Sequence, residues 1–384
     1  MDFNFDTLPN RRESESEKWK RYDENVLPMW VADMDFKSPP AVIEALQQRV
    51  DHGVFGYPSA PEGIKEAVVD WLDRRHSWSV TAQDLIFIPG VVTGFHLAAQ
   101  AVTRPGDGVL LQTPTYGPFF RVAENINLVQ QEMEMSRDAD GQYSVDIDAF
   151  KSAINGRTRI FMLCNPQNPT GRVFRQAELE AMAEVCLRND IIICSDEIHS
   201  DLIFSGNKHI PIAKIAPEIA EKTITLIAPS KTFNIAGLEA SVAIIQNKEL
   251  RQQFEAGRKG LVGWVNLLGQ IAMRAAYQEG EGWLDALLVY LEANRDYAFE
   301  FVEEQLPGLK MAKPEGTYLA WLDCNQSGIE DKPSDFFLKK AKVAMNDGAW
   351  FGKGGEGFVR LNFGCPRMML AKALQRMKDA LIQY

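Results

Sequence analysis

Thr223-Ile-Thr-Leu-Ile-Ala-Pro-Ser-Lys-Thr-Phe-Asn234 decides how this chain is read. Its first half, Thr223–Ala228, is a short apolar run rich in β-branched residues, the mark of a buried strand. Pro229 stops the strand, and Lys231 follows within two residues. In open α/β sheets, ligands sit beyond the carboxyl ends of the strands. A surface lysine is the plain alternative, but so apolar an approach disfavours full exposure. A lysine held there has a lowered proton affinity and can form a Schiff base with a carbonyl.

The same pattern repeats on both sides of this stretch. Leu85–Ile88, Val109–Gln112, Arg159–Cys164, Ile191–Cys194 and Ser241–Ile245 read as further strands, and Thr93–Val102, Gln176–Arg188 and Leu250–Arg258 as helices between them. Short apolar strands alternating with helices predict an α/β fold with a mostly parallel, buried sheet. The polar motifs fall just after the strands. Gly90-Val91-Val92-Thr93-Gly94 opens a helix, whose N-terminal amides can hold a phosphate; taken alone it reads more readily as an ordinary strand-to-helix turn. Asn168-Pro169-Thr170-Gly171 follows one strand and can be simple turn chemistry. Asp196, after another, can pair with a cationic ring nitrogen or cap a helix. A phosphate-type loop, an amide, a carboxylate and a lysine at four strand ends say more together than any of them alone.

Beyond about residue 285 the pattern changes. A long helix, Leu284–Glu304, leads to Lys310–Asp323, a further helix, Gly357–Phe363 and a last helix, Met369–Ile382. This predicts a smaller α+β domain. The expected division is 1–45 as an N-terminal arm and part of the small domain, 46–284 as the large domain and 285–384 as the small one. Residues 1 to about 30 read as a polar, extended arm, and Ser38-Pro39-Pro40 as a helix start with Ser38 as N-cap. Gly352-Lys-Gly-Gly-Glu-Gly357 spells a dinucleotide-binding pattern, but it precedes a strand and opens no helix, so a tight loop near Arg360 is the better reading. There is no internal repeat and no low-complexity segment.

The net charge of −11 argues against nucleic acid as a partner. No apolar run reaches the ~20 residues of a membrane span, and the N-terminus has no apolar signal core. Cys164, Cys186, Cys194, Cys324 and Cys365 are odd in number and lack paired spacing, so buried free thiols and a reducing, cytoplasmic compartment are expected, with no metal site.

Asn168-Pro169-Thr170-Gly171, Asp196 and Lys231, in that order and at these intervals, resemble the fold-type-I pyridoxal-phosphate (PLP) enzymes of the aspartate aminotransferase superfamily. A narrower resemblance is to its MalY/PatB branch of carbon–sulfur β-lyases, which includes cystathionine β-lyases. It is carried by Met29-Trp-Val-Ala-Asp-Met-Asp-Phe36, Asp196-Glu-Ile-His199, Ser230-Lys-Thr-Phe-Asn-Ile-Ala-Gly-Leu238 and Val359-Arg-Leu-Asn-Phe-Gly364. The resemblance covers nearly the whole chain. It implies a seven-stranded large domain, PLP as cofactor and a homodimer with composite sites.

It also implies roles. Lys231 carries the cofactor and moves the Cα proton, Asp196 keeps the ring nitrogen protonated, Asn168 faces the ring hydroxyl and the substrate carboxylate, and Tyr116 stacks on the ring. Val92, Thr93 and Ser230 bind the phosphate, joined by Tyr57 from the neighbouring subunit. Arg360 clamps the substrate carboxylate, and Trp30 lines the entrance or packs between domains. His199 stands where many aminotransferases have a tyrosine and reads as a hydrogen-bond partner on the cofactor side. Glu239 stands eight residues after Lys231, where a basic residue often meets the phosphate; an acid would repel it, so Glu239 is expected to point away. These features favour α,β-elimination from L-cystathionine or L-cysteine S-conjugates. An aminotransferase, or a regulatory partner-binding protein of the MalY type, are the alternatives.

Overall fold

A computed structural model describes residues 3–384. Its centre is a seven-stranded sheet built from β1 (Leu85–Ile88), β2 (Gly108–Thr113), β3 (Val129–Glu134), β4 (Thr158–Cys164), β5 (Ile192–Asp196), β6 (Thr223–Ile227) and β7 (Ser241–Ile244). The spatial order is β1-β7-β6-β5-β4-β2-β3. Every neighbouring pair is parallel except the two made by β7.

Apolar runs without polar alternation make strands whose two faces are both covered. Ile160 and Met162 of β4 join one cluster with Val109, Leu111 and Leu226, while Phe161 and Leu163 join another with Leu110 and Ile193. The period of two sends successive side chains to opposite layers of helices. Register then fixes the site. Asp196 pairs with Cys164 of β4 and Leu226 of β6, so the segments after three adjacent strands emerge side by side.

The helices that matter here are α1 (Pro40–Asp51), α2 (Ile64–His76), α3 (Val91–Val102), α4 (Gln176–Arg188), α5 (Glu281–Gln305) and α6 (Arg367–Ile382). A second, four-stranded antiparallel sheet has β8 (Lys310–Met311), β9 (Leu319–Asp323), β10 (Asn346–Asp347) and β11 (Phe358–Asn362) in the order β8-β9-β11-β10. One apolar core runs from α5, α6 and this sheet to Trp71 of α2 and Phe233 beside Lys231. The N-terminal segment joins the second sheet's surroundings: Leu27–Pro28 pairs with Val343–Ala344, and Asn362 N–H donates to the Met29 carbonyl at 2.9 Å.

Two local expectations change, and one strand has no sequence signal. Ser38 does not cap α1, which starts at Pro40 after Pro39; its hydroxyl donates to the Asn234 carbonyl at 3.1 Å, because Pro-Pro geometry already sets the helix start. The arm is not merely extended and polar: Glu17–Lys20 forms a helical turn with Lys18 and Trp19 buried. β3 gives no apolar signal in Val-Gln-Gln-Glu-Met-Glu, because only Gln131 and Met133 of this edge strand are buried. All five cysteines are buried and unpaired.

Candidate active site

Three neighbouring strand ends and the first turn of α3 enclose a cavity of about 460 Å³. Lys231 enters it from a helical turn, Pro229–Thr232, directly after β6. Its Nζ donates to the Ala32 carbonyl at 2.7 Å. Burial disfavours the ammonium and brings its pKa down to about 8, against the pull of Asp33 and Asp196 and with the push of Arg360. Asp196, at the end of β5, accepts the Ile198 N–H at 3.1 Å. Burial raises its carboxyl to about 7, although the Ile198 amide and Lys231 favour the ionised form. Among the described residues, neither Lys231 nor Asp196 has an ion-pair partner within 4.0 Å.

Arg360 crosses the floor from the middle of β11. Its Nη1 donates to Asn168 Oδ1 at 2.8 Å, and its Nη2 to the Trp30 carbonyl at 2.9 Å and Asn346 Oδ1 at 2.7 Å. Its Nε is buried without a partner. Burial lowers the guanidinium to about 10, with Tyr116 and Tyr318 acting the other way, so it stays charged at neutral pH. The loop bearing Asn168 is held by Gln167, which donates to the Pro114 carbonyl at 2.5 Å and accepts from both the N–H and the hydroxyl of Thr170.

His199 Nδ1 is buried with no partner, and burial, then Lys231 and Arg360, pull its pKa down to about 3. It is a neutral imidazole. Tyr116 stands edge-on to Trp350, with ring centroids 5.9 Å apart, and burial followed by the charge of Asp196 keeps its phenol protonated. Val92 and Thr93 lie in the first turn of α3, where helix geometry leaves N–H groups without intrahelical partners. Gly90, at φ 93°, makes the turn that a side chain would strain. Ser230 lines the same wall.

The cavity thus gathers Lys231, Asp196, Asn168, Tyr116, His199, Arg360, Val92, Thr93, Ser230 and Trp30. Tyr57 is not among them; it stands fully exposed in the loop before α2. Glu239, held at φ 48° after a short 3₁₀ turn, also lines this cavity. Asn346 and Trp350 were missed. The tight turn Gly348–Phe351 and the glycine-rich loop before β11 bring Trp350 in, and its indole lies on Gly117, where a Cβ would come within 2.6 Å. A tryptophan flanking a glycine-rich loop was the one signal; Asn346 offered none.

These residues fit pyridoxal phosphate. A buried carboxylate without a cation suits a protonated ring nitrogen, and a buried amine of lowered basicity suits an aldehyde. The unpartnered His199 nitrogen suits a ring substituent, and the helix turn with the Thr93 and Ser230 hydroxyls suits a phosphate.

Fold and cavity together define an α/β protein of the pyridoxal-phosphate-binding type. The chain belongs to the family described as aminotransferase class I and II, whose pattern matches residues 24–377. It is 42% identical to cystathionine beta-lyase PatB of Bacillus subtilis (strain 168), over 98% of this chain and 100% of that protein. It is 34% identical to protein MalY of Escherichia coli (strain K12), over 93% of this chain and 92% of that one. The crystal structure of cystalysin from Treponema denticola, which contains a pyridoxal 5'-phosphate cofactor, superposes with a TM-score of 0.96 at 35% identity, covering both chains completely.

Proposed function

We infer that this protein is a PLP-dependent carbon–sulfur β-lyase. It cleaves L-cystathionine or related L-cysteine S-conjugates to a thiol, pyruvate and ammonia. The observation that carries this is full-length similarity to a cystathionine β-lyase, combined with one cavity that holds Lys231, Asp196, Asn168 and Arg360 together.

Bound PLP supplies an electron sink conjugated to the substrate's α-carbon. The chain's own residues do the rest. Arg360, held at one terminal nitrogen by Asn168 and at the other by Asn346 and Trp30, offers a fixed cation with its remaining N–H groups to the α-carboxylate. Lys231 takes the Cα proton as a free amine, a task that its lowered basicity suits near neutral pH. Asp196 holds a proton or a cation at the ring nitrogen's position, and neutral His199 and Asn168 offer hydrogen bonds at its edge. Tyr116, Trp30 and Trp350 wall the cavity with aromatic surface that excludes water and accepts a thioether. With the Cα proton gone, the Cβ–S bond breaks, the sulfur leaves with the electron pair, and the released product hydrolyses to pyruvate and ammonia.

Val92, Thr93 and Ser230 form the phosphate cradle, completed by Tyr57 of the partner subunit in a homodimer. Support for the dimer comes from Tyr57, Val54, Phe55, Leu261 and Trp264, large apolar groups left exposed. In this reading residues 46–284 make the large domain, 285–384 the small one, and 1–45 the N-terminal arm and part of the small domain. The five unpaired, buried cysteines suit the reducing cytoplasm, and no helix among the described residues is long and apolar enough to cross a membrane.

The test is incubation of PLP-loaded enzyme with L-cystathionine and no keto acid. Many equivalents of pyruvate per site are expected. A single stoichiometric half-reaction, with further turnover only when a keto acid is added, would make the protein an aminotransferase.

A further inference from the structure

The N-terminal arm carries an ionic cluster behind the cavity wall. Arg11 Nη1 donates to Asp33 Oδ1 at 3.1 Å, to the Met34 carbonyl at 3.1 Å and to Asp35 Oδ1 at 2.6 Å, while its Nη2 reaches Asp33 Oδ2 at 2.6 Å. Lys18, fully buried, donates to Asp35 Oδ2 at 2.7 Å and to the Asp33 carbonyl at 3.2 Å. Trp19 Nε1 adds a bond to Asp35 Oδ1 at 2.7 Å. Two cations therefore face two carboxylates. A buried set of this kind adds little stability over well-packed apolar residues, so what it holds in place is the more telling property.

It holds residues 30–36, which have no helix or strand of their own yet form the wall at Trp30, Val31 and Ala32. Their carbonyls are taken by several elements in turn. Arg360 holds Trp30; Asn362 holds Val31 at 2.5 Å and Asp33 at 2.7 Å; Asn234 holds Met34 at 2.9 Å. The Ala32 carbonyl accepts from Tyr318 at 2.8 Å and from Lys231 at 2.7 Å. The arm closes this chain of contacts from outside, and the Lys18 carbonyl also accepts from Trp30 Nε1 at 3.2 Å.

We propose that Arg11, Lys18, Asp33 and Asp35 are positioning residues for Lys231: the arm clamps the 30–36 segment so that the Ala32 carbonyl receives the lysine amine whenever it is free. This rests on Lys231 being the residue that moves the proton. Asp33 has a second effect, since its charge raises the proton affinity of Lys231. Burial alone would raise the Asp33 carboxyl, but Arg11, Lys18 and Lys231 outweigh it and keep the group ionised. The other charged groups acting on Lys231 are Asp196, acting with Asp33, and Arg360, acting against both; His199 faces it as a neutral group, Tyr318 shares its Ala32 carbonyl, and Tyr116 and Glu239 line the same cavity.

The test uses PLP-loaded protein and three variants, Lys18→Met, Lys18→Arg and Asp33→Asn. Lys18→Met is expected to lower kcat about tenfold with KM within about twofold, because misplacement of a proton-transfer group costs rate more than binding. Lys18→Arg recovers most of the loss. Asp33→Asn moves the midpoint of the pH titration of the cofactor's visible band on Lys231 to lower pH, because removing a neighbouring negative charge disfavours the protonated nitrogen. The proposal is overturned if folded, cofactor-loaded Lys18→Met keeps its kcat within twofold, whatever the midpoint of Asp33→Asn. Should Lys18→Met not fold, Asp33→Asn, which weakens the bonds to Arg11, decides by the same comparison of kcat and KM. Absence of lyase activity in the wild type would sink the functional reading instead.

Discussion

Replacing Arg360 with lysine keeps a positive charge in the cavity and removes the planar fork. In the present geometry three hydrogen bonds, at 2.8, 2.9 and 2.7 Å, fix the guanidinium to Asn168, Trp30 and Asn346. The donors not engaged in these bonds are the buried Nε and one N–H of Nη1. A lysine ammonium has three donors at a single point. It cannot satisfy Asn168 and Asn346 and also bind a carboxylate through two parallel bonds. The loss is at least one charge-assisted hydrogen bond, about 1.5–3 kcal/mol, or about a 10- to 150-fold fall in kcat/KM. The carboxylate is held equally before and during proton transfer, so most of the loss belongs in KM. Pyruvate release measured across a range of L-cystathionine concentrations reads both constants. The cofactor's visible band is expected to stay intact, because Arg360 faces the substrate. A variant whose kcat/KM falls less than threefold would refute the assignment of Arg360 as the carboxylate clamp.

Asp201→Asn is expected to destabilise the fold by about 3 kcal/mol, read as a lower urea midpoint, because the buried carboxylate accepts from Trp71 Nε1, His76 Nε2 and Thr232 Oγ1 at 2.9–3.0 Å. Burial alone would raise this carboxyl, yet His76, Thr232 and Trp71 hold it below its ordinary value. Its stabilisation is therefore complete above the unfolded value near ~4 and fades as pH falls through the folded value. The wild type should lose that increment in acid, while the asparagine variant has none to lose. Gly94→Ala places a Cβ 2.5 Å from Ile88 Cδ1 and 3.0 Å from Leu226 Cδ2. Overpacking of about 1–3 kcal/mol is expected to tilt the first turn of α3 and weaken PLP binding, measured by cofactor retention on dialysis; unchanged retention would show that the turn absorbs the methyl.

The strands that end in chemistry were legible because they are buried on both faces and so written as unbroken apolar runs. Val129–Glu134 was not, since an edge strand with alternate residues in water carries the polar residues of a loop. The cavity's near side was legible for the same reason: Asp196 and Lys231 each follow such a run by no more than a few residues. Its far side was not. Asn346 and Trp350 reach it only because β10 pairs with β11 and a tight turn follows, a contact that no local periodicity encodes. The arm was misread because its burial depends on charge pairing. Arg11, Lys18, Asp33 and Asp35 each look like solvated surface, and only their mutual contact lets Lys18 leave water.

Lys231 and Asp196 show what the whole arrangement is for. Burial moves their proton affinities toward each other, the amine down to about 8 and the acid up to about 7. Two such groups at adjacent strand ends have an obvious way to escape the cost of burial, a direct ion pair. The fold does not let them take it. Lys231 is drawn aside to the Ala32 carbonyl, and Asp196 is turned onto the Ile198 amide. Each keeps an unmet demand, the amine for a carbon electrophile and the acid for a cation or a proton. Those demands are met together by a ligand with an aldehyde at one position and a basic ring nitrogen at another. A lysine already neutralised by its own aspartate would offer neither a nucleophile nor a base. Keeping the two apart is thus the condition on which both cofactor capture and proton transfer depend.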